Sequence, residues 1–149
     1  MIKVYQLRLS KEMIQQVQHA TLTTWTGGIA KTHGLFGSEE WWENIASGRL
    51  QKRTVAGVIT QLSDGPYGDW PEFTMSSESG KDMTFSRFAN GKVLSAAYAV
   101  GRHVEVDYVL QRDRLFGHGS FFRRHKQVIE VRIKEDAQQT AAASPVVGK

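Results

Sequence analysis

The chain has 149 residues, no cysteine and a formal net charge of +4, with 40% hydrophobic and 23% charged residues. That is one domain's length with enough apolar content for a core, and the lack of cysteine excludes disulfides, thiolate chemistry and cysteine-ligated zinc. No run of about 18 apolar residues suits a membrane helix, and the N-terminal MIKVYQLRLSKEM has no signal-peptide pattern, so a cytoplasmic protein with no membrane partner is expected.

Charge is unevenly placed. Residues 1–48 carry four basic side chains (Lys3, Arg8, Lys11, Lys31) and four acidic ones (Glu12, Glu39, Glu40, Glu43), which cancel. From residue 49 onward, 15 basic residues face 11 acidic ones. Within that half, residues 112–126 hold Arg112, Arg114, Arg123, Arg124 and Lys126 against Asp113 alone, a local positive field.

Ile2 to Leu9 mixes apolar and polar positions in an extended pattern and predicts a first strand. Ser10 can cap a helix in which Met13, Ile14 and Val17 recur at helical spacing. That helix ends between Thr21, where β-branched residues accumulate, and the Gly27-Gly28 stop. A second, short helix follows Ser38: Glu39 and Glu40 complement the positive end of its dipole, Trp41, Trp42 and Ile45 supply its apolar side, and Gly48 ends it.

The period then changes. Thr54 to Leu62 is rich in β-branched residues, and Gly57 inside it marks a bulge or a close backbone approach. Ser63 to Pro71 is dense in turn formers. Glu72 to Ser76 places Phe73 and Met75 inward, Ser79-Gly80-Lys81 makes a tight turn, and Asp82 to Phe88 places Met83 and Phe85 inward.

Ala89 to Arg102 forms a connector with a helical turn over Val93 to Ala97. In the next strand, Val104, Val106, Tyr108 and Leu110 share the inner face, and His103, Glu105, Asp107 and Gln111 share the outer one. After the loop from Asp113 to Lys126, a last strand puts Ile129, Val131 and Ile133 inward and Glu130, Arg132 and Lys134 outward. Residues 136–149 have little to bury and predict a disordered tail.

The predicted fold class is therefore α+β: an N-terminal strand and two helices followed by a five-stranded antiparallel barrel. Residues 1–135 form a single domain, with 1–48 as a β-α-α extension and 49–135 as the barrel. The curved strand TVAGVITQL, the hairpin EFTMSSESGKDMTFSRF, the connector ending in YAVGRHVEVDYV and the closing strand QVIEVRIK together resemble an OB-fold, the five-stranded Greek-key barrel, over roughly residues 53–135. The resemblance is one of pattern. It implies a ligand face on the second and third strands, flanked by the loops after the first and fourth.

The fourth loop, DRLFGHGSFFRRHK, then offers Arg112, Arg114, Arg123, Arg124 and Lys126 to phosphates and Phe121 and Phe122 to stacked bases. Its plainer alternative is a hairpin with phenylalanines packed back and charges solvated. Tyr67 and Trp70 of the opposite loop could stack on the same ligand, although Asp64 and Asp69 would repel phosphates.

His103, Glu105 and Asp107 alternate on one strand face, an arrangement that could hold a divalent metal, but a solvated polar face paired with Arg132 or Lys134 is the favoured reading and no metal site is expected. Trp41 and Trp42 either seal an open barrel end or form a protein-docking surface. No serine sits in a nucleophile elbow, no phosphate loop is present and no cofactor is implied.

The sequence thus predicts a non-enzymatic accessory protein that binds single-stranded DNA or RNA, or another polyanion, through residues 113–126. The alternative is a protein-interaction module built on the N-terminal helices and Trp41/Trp42, with an acidic protein as partner.

Overall fold

The computed structural model describes residues 1–24, 27–65, 67–112 and 124–135. Their order is β1 (Ile2–Gln6), a single 3-10 turn (Leu7–Leu9), α1 (Lys11–Thr23), α2 (Glu39–Ala46), β2 (Arg53–Ser63), β3 (Glu72–Ser77), β4 (Asp82–Ser86), α3 (Lys92–Ser95), β5 (His103–Arg112) and β6 (Arg124–Ile133). The mixed helix and strand content follows the sequence pattern, including five strands after residue 49. The predicted tail, 136–149, lies outside the described residues.

The strands form one sheet in the order β1-β6-β5-β2-β3-β4. It is open, not closed into the predicted barrel. Closure would require the outermost strands of the five-strand set, β4 and β6, to meet. Instead β1 takes the edge of β6, pairing antiparallel from Ile2 opposite Ile133 to Gln6 opposite Glu130. Capping an edge with another strand satisfies its backbone groups as closure would. The opposite edge strand, β4, is only five residues long, a common way of limiting unwanted pairing.

By its internal contacts the chain divides into two compact units. In the first, residues 1–6, 55–106 and 130–135, β2, β3 and β4 form an antiparallel meander with Gly57 opposite Ser77 and Phe73 opposite Phe85. Phe73 and Met75 are fully buried, as the period-2 pattern of β3 requires. Phe73 lies between Phe85 and Tyr98, with ring centroids 5.8 and 5.1 Å away. The Tyr98 hydroxyl donates to the Phe88 carbonyl at 2.5 Å, and burial, reinforced by nearby Tyr5, pushes its phenol well above the ordinary tyrosine value.

In the second unit, residues 7–54, 107–112 and 124–129, Trp41 of α2 joins Leu7, Ile29, Phe36, Leu50, Val109 and Val128 among the buried apolar side chains, while α1 buries Thr21. Gly28 adopts φ 81°, and a Cβ there would fall 2.0 Å from the Thr21 hydroxyl. That hydroxyl accepts from the Ile29 N–H at 3.1 Å and donates to the Val17 carbonyl at 2.9 Å. The glycine pair thus lets the chain leave α1 and fold back against it.

β5 departs from simple alternation. Val104 and Val106 are buried, but then so are Asp107, Val109 and Gln111, while Tyr108 and Leu110 are only half-buried. The buried phase shifts by one residue after Val106, and two polar side chains expected outside enter the core of the second unit. Such a shift is invisible to a pattern reading that carries one period through the whole strand.

Gly57 marks the close approach expected of it: a Cβ would lie 2.2 Å from the Ser76 carbonyl oxygen. Gly57→Ala is expected to cost about 1–3 kcal/mol through overpacking. Urea unfolding should show a lower midpoint with an unchanged slope.

Candidate functional site

α2 is set up locally. The Ser38 hydroxyl accepts from the Trp41 N–H at 3.2 Å, and Glu39 and Glu40 occupy the positive end of the helix. Successive residues on a helix point about 100° apart, so the adjacent tryptophans separate. Trp41 is fully buried, 4.7 Å from the Phe36 ring, and its indole N–H donates to Gln111 Oε1 at 2.9 Å. Trp42 meets Trp41 edge-on at 4.8 Å and stays half-buried, with the Arg8 guanidinium carbon 4.0 Å from its ring centroid. The sealing role foreseen for both indoles therefore belongs to Trp41.

Trp42 and Arg8 line a surface concavity of about 450 Å³ with Lys11, Ile14, Gln15, Gln18, Gly37 and Glu39. Gly37 is held at φ 75°, and a Cβ there would strike Ile14 at 2.5 Å. Gln18 donates to the Phe36 carbonyl at 2.9 Å, tying the α1 wall to the loop before α2. The rim carries both signs, with Arg8 and Lys11 on one side and the exposed Glu39 and Glu43 on α2. An aromatic face beside a guanidinium and a mixed-charge rim is suited to a polypeptide surface.

A second cleft in the same unit, about 360 Å³, is lined by Thr32, His33, Leu50, Gln51, Arg53, Leu110 and Gln111. In the same unit Asp107, 6% exposed, accepts from the Thr54 hydroxyl at 2.7 Å and lies 3.9 Å from the Lys52 ammonium.

Of the residues predicted for a polyanion, Lys126, Tyr67 and Trp70 have described side chains. Arg114, Phe121, Phe122 and Arg123 lie outside the described residues, as do the side chains of Arg112 and Arg124. Lys126 is exposed overall, yet partial desolvation of its ammonium lowers its pKa from the ordinary lysine value. Tyr67 is 89% exposed, whereas the Trp70 indole N–H is engaged by the Ser86 hydroxyl at 2.6 Å. Asp64 is held by Arg87 at 2.7 Å.

The predicted His103, Glu105 and Asp107 cluster is dispersed. Glu105 pairs with Arg132 at 3.1 Å, while the phase shift in β5 turns Asp107 into the core of the second unit. Among the described residues, no three His, Asp or Glu side chains gather in a way that could hold a metal. Nor, among them, is any helix long and apolar enough to cross a membrane.

Residues 1–134 match the model of the family described as immunity protein RhsI2, and the chain belongs to that family. No curated protein matches the chain. Membership overturns the expectation of a single-stranded nucleic-acid or polyanion-binding protein. Basic and aromatic residues close together in sequence favour such a ligand only if they share an exposed surface, and composition alone cannot separate that surface from one that meets a protein. Pattern reading placed Gln111 on the outer face of β5, although it is buried and supports Trp41 from within.

Trp41→Phe removes the donor to Gln111 and strands its buried oxygen. A loss of about 1–3 kcal/mol is expected from that group, with a packing deficit in addition. Trp42→Ala should cost less, because its ring is half-exposed and a cation–π contact at such a site is worth about 0.5–1 kcal/mol. Guanidinium chloride unfolding of the two variants should rank them in that order.

Proposed function

We propose that this chain neutralises a protein toxin by binding it, and that the Arg8–Trp42 concavity forms part of the docking surface. Membership of the immunity-protein family over residues 1–134 carries the reading. The geometry supports it at one place in particular. α2 commits one indole to the core and leaves its neighbour on the surface, and tryptophan and arginine are the side chains most enriched among residues that dominate binding energy.

Trp42 is also suited energetically. Arg8 already lies over its ring, so the pair meets a partner largely pre-ordered and loses less side-chain freedom on binding than two mobile groups would. The charged rim would set orientation and encounter rate more than affinity.

The decisive experiment co-produces the chain with its cognate toxin. Cells producing the wild-type protein should survive, and the purified protein should suppress the toxin's activity at equimolar concentration. A toxin left fully active by an excess of folded protein would refute the proposal. Trp42→Ala and Arg8→Ala should each weaken the toxin complex by roughly tenfold or more, equivalent to about 1.4 kcal/mol per decade, with circular dichroism spectra unchanged.

A further inference from the structure

We infer that the cleft lined by Thr32, His33, Leu50, Arg53 and Gln111 receives a carboxylate side chain of the toxin, an assignment that rests on the neutralisation reading above. Gln111 is 4% exposed, and its Oε1 accepts the Trp41 indole N–H at 2.9 Å. An indole nitrogen can only donate, so this contact fixes the orientation of the amide: oxygen toward Trp41, NH2 away from it. The same residue lines the cleft, and its Nε2 is buried with no hydrogen-bond partner. A buried donor left unsatisfied costs about 1–3 kcal/mol, and on a residue that lines a cleft it offers a place for an incoming acceptor.

The charge of that acceptor follows from the lining. Among the described residues, the seven that line the cleft include Arg53 and no acidic side chain. Among the described residues Arg53 is exposed and makes no ion pair or hydrogen bond, so its guanidinium is available. The buried carboxylate of β5, Asp107, is engaged by Thr54 and Lys52 and is not among the lining residues. Leu50 and Leu110 provide apolar walls that would exclude water around a bound group and strengthen its hydrogen bonds.

Size narrows the occupant further. About 360 Å³ suits one side chain and cannot take a folded element. A planar carboxylate presents two oxygens, one for the Gln111 NH2 group and one for the Arg53 guanidinium, the matching that charge-assisted hydrogen bonds favour.

Two measurements on the full-length protein test this. In the first, sodium propionate stands in for the side chain and is titrated while the Gln111 side-chain NH2 and the Trp41 indole N–H are followed by nitrogen-15 NMR. A saturable shift is expected in the wild type and its loss in Arg53→Glu; no shift at high propionate overturns the inference.

In the second, toxin affinity is compared between wild type, Arg53→Glu and Gln111→Glu. The last keeps an oxygen for Trp41 and removes the donor. Affinity should fall by roughly 30-fold or more for Arg53→Glu, in keeping with loss of one partner of a buried charge pair. Because Arg53 is exposed and unpaired, the thermal midpoint of that variant should stay at the wild-type value. Equal toxin binding by wild type and Arg53→Glu overturns the inference even if propionate binds. A toxin that ignores the wild type altogether overturns the neutralisation reading, and with it the toxin as the source of the carboxylate.

Discussion

The buried hydrogen bond from the Trp41 indole to Gln111 Oε1 ties α2 to β5 within the second unit. Because the indole has no acceptor, it sets which end of the Gln111 amide faces inward. Because Trp41 is fully buried, it also sets the rotation of α2 about its own axis. One consequence is that the next residue, Trp42, emerges beside Arg8. Another is that the Gln111 NH2 group is left without a partner on a residue that lines the same cleft as Arg53. Both surfaces considered for binding are thus outcomes of the same buried contact.

The contact exists because β5 changes phase. Had alternation continued past Val106, Asp107 and Gln111 would face outward and Tyr108 would fill the interior. In their buried positions both need partners, since an unpaired buried polar group is costly. Asp107 has Thr54 and Lys52, and Gln111 has Trp41 on one side only. Polar groups of this kind contribute less to raw stability than an apolar core would, but they allow few alternative arrangements.

Much of the scaffold was legible in the residues. Ser38 with Glu39 and Glu40 announced α2; Phe73, Met75 and Phe85 announced the β3–β4 hairpin; and Gly57 announced a close backbone approach. Each is a local signal with a local cause. What escaped was non-local. The pairing of β1 with β6 depends on strands at opposite ends of the described chain, and nothing in MIKVYQLRLS states which edge it will cover. The phase shift in β5 was equally hidden, because His103 to Gln111 alternates plausibly in a single register. The candidate site was half visible: adjacent tryptophans could be seen to conflict, but not which of them would be buried. Charge density in residues 112–126 pointed toward polyanions, and family membership corrected that direction.

The pairing of Ile2 with Ile133 bears on how the protein is made. β1 leaves the ribosome before β6, yet its place in the sheet exists only after β6 has been synthesised. Until then its backbone donors and acceptors have no strand to meet, and Val4 and Tyr5, both buried in the finished protein, have no completed core to enter. Contacts between segments so distant in sequence slow folding, because the intervening chain must be ordered before they form. The edge of β6 is therefore covered only once the segments at both ends of the sheet's chain order have been made.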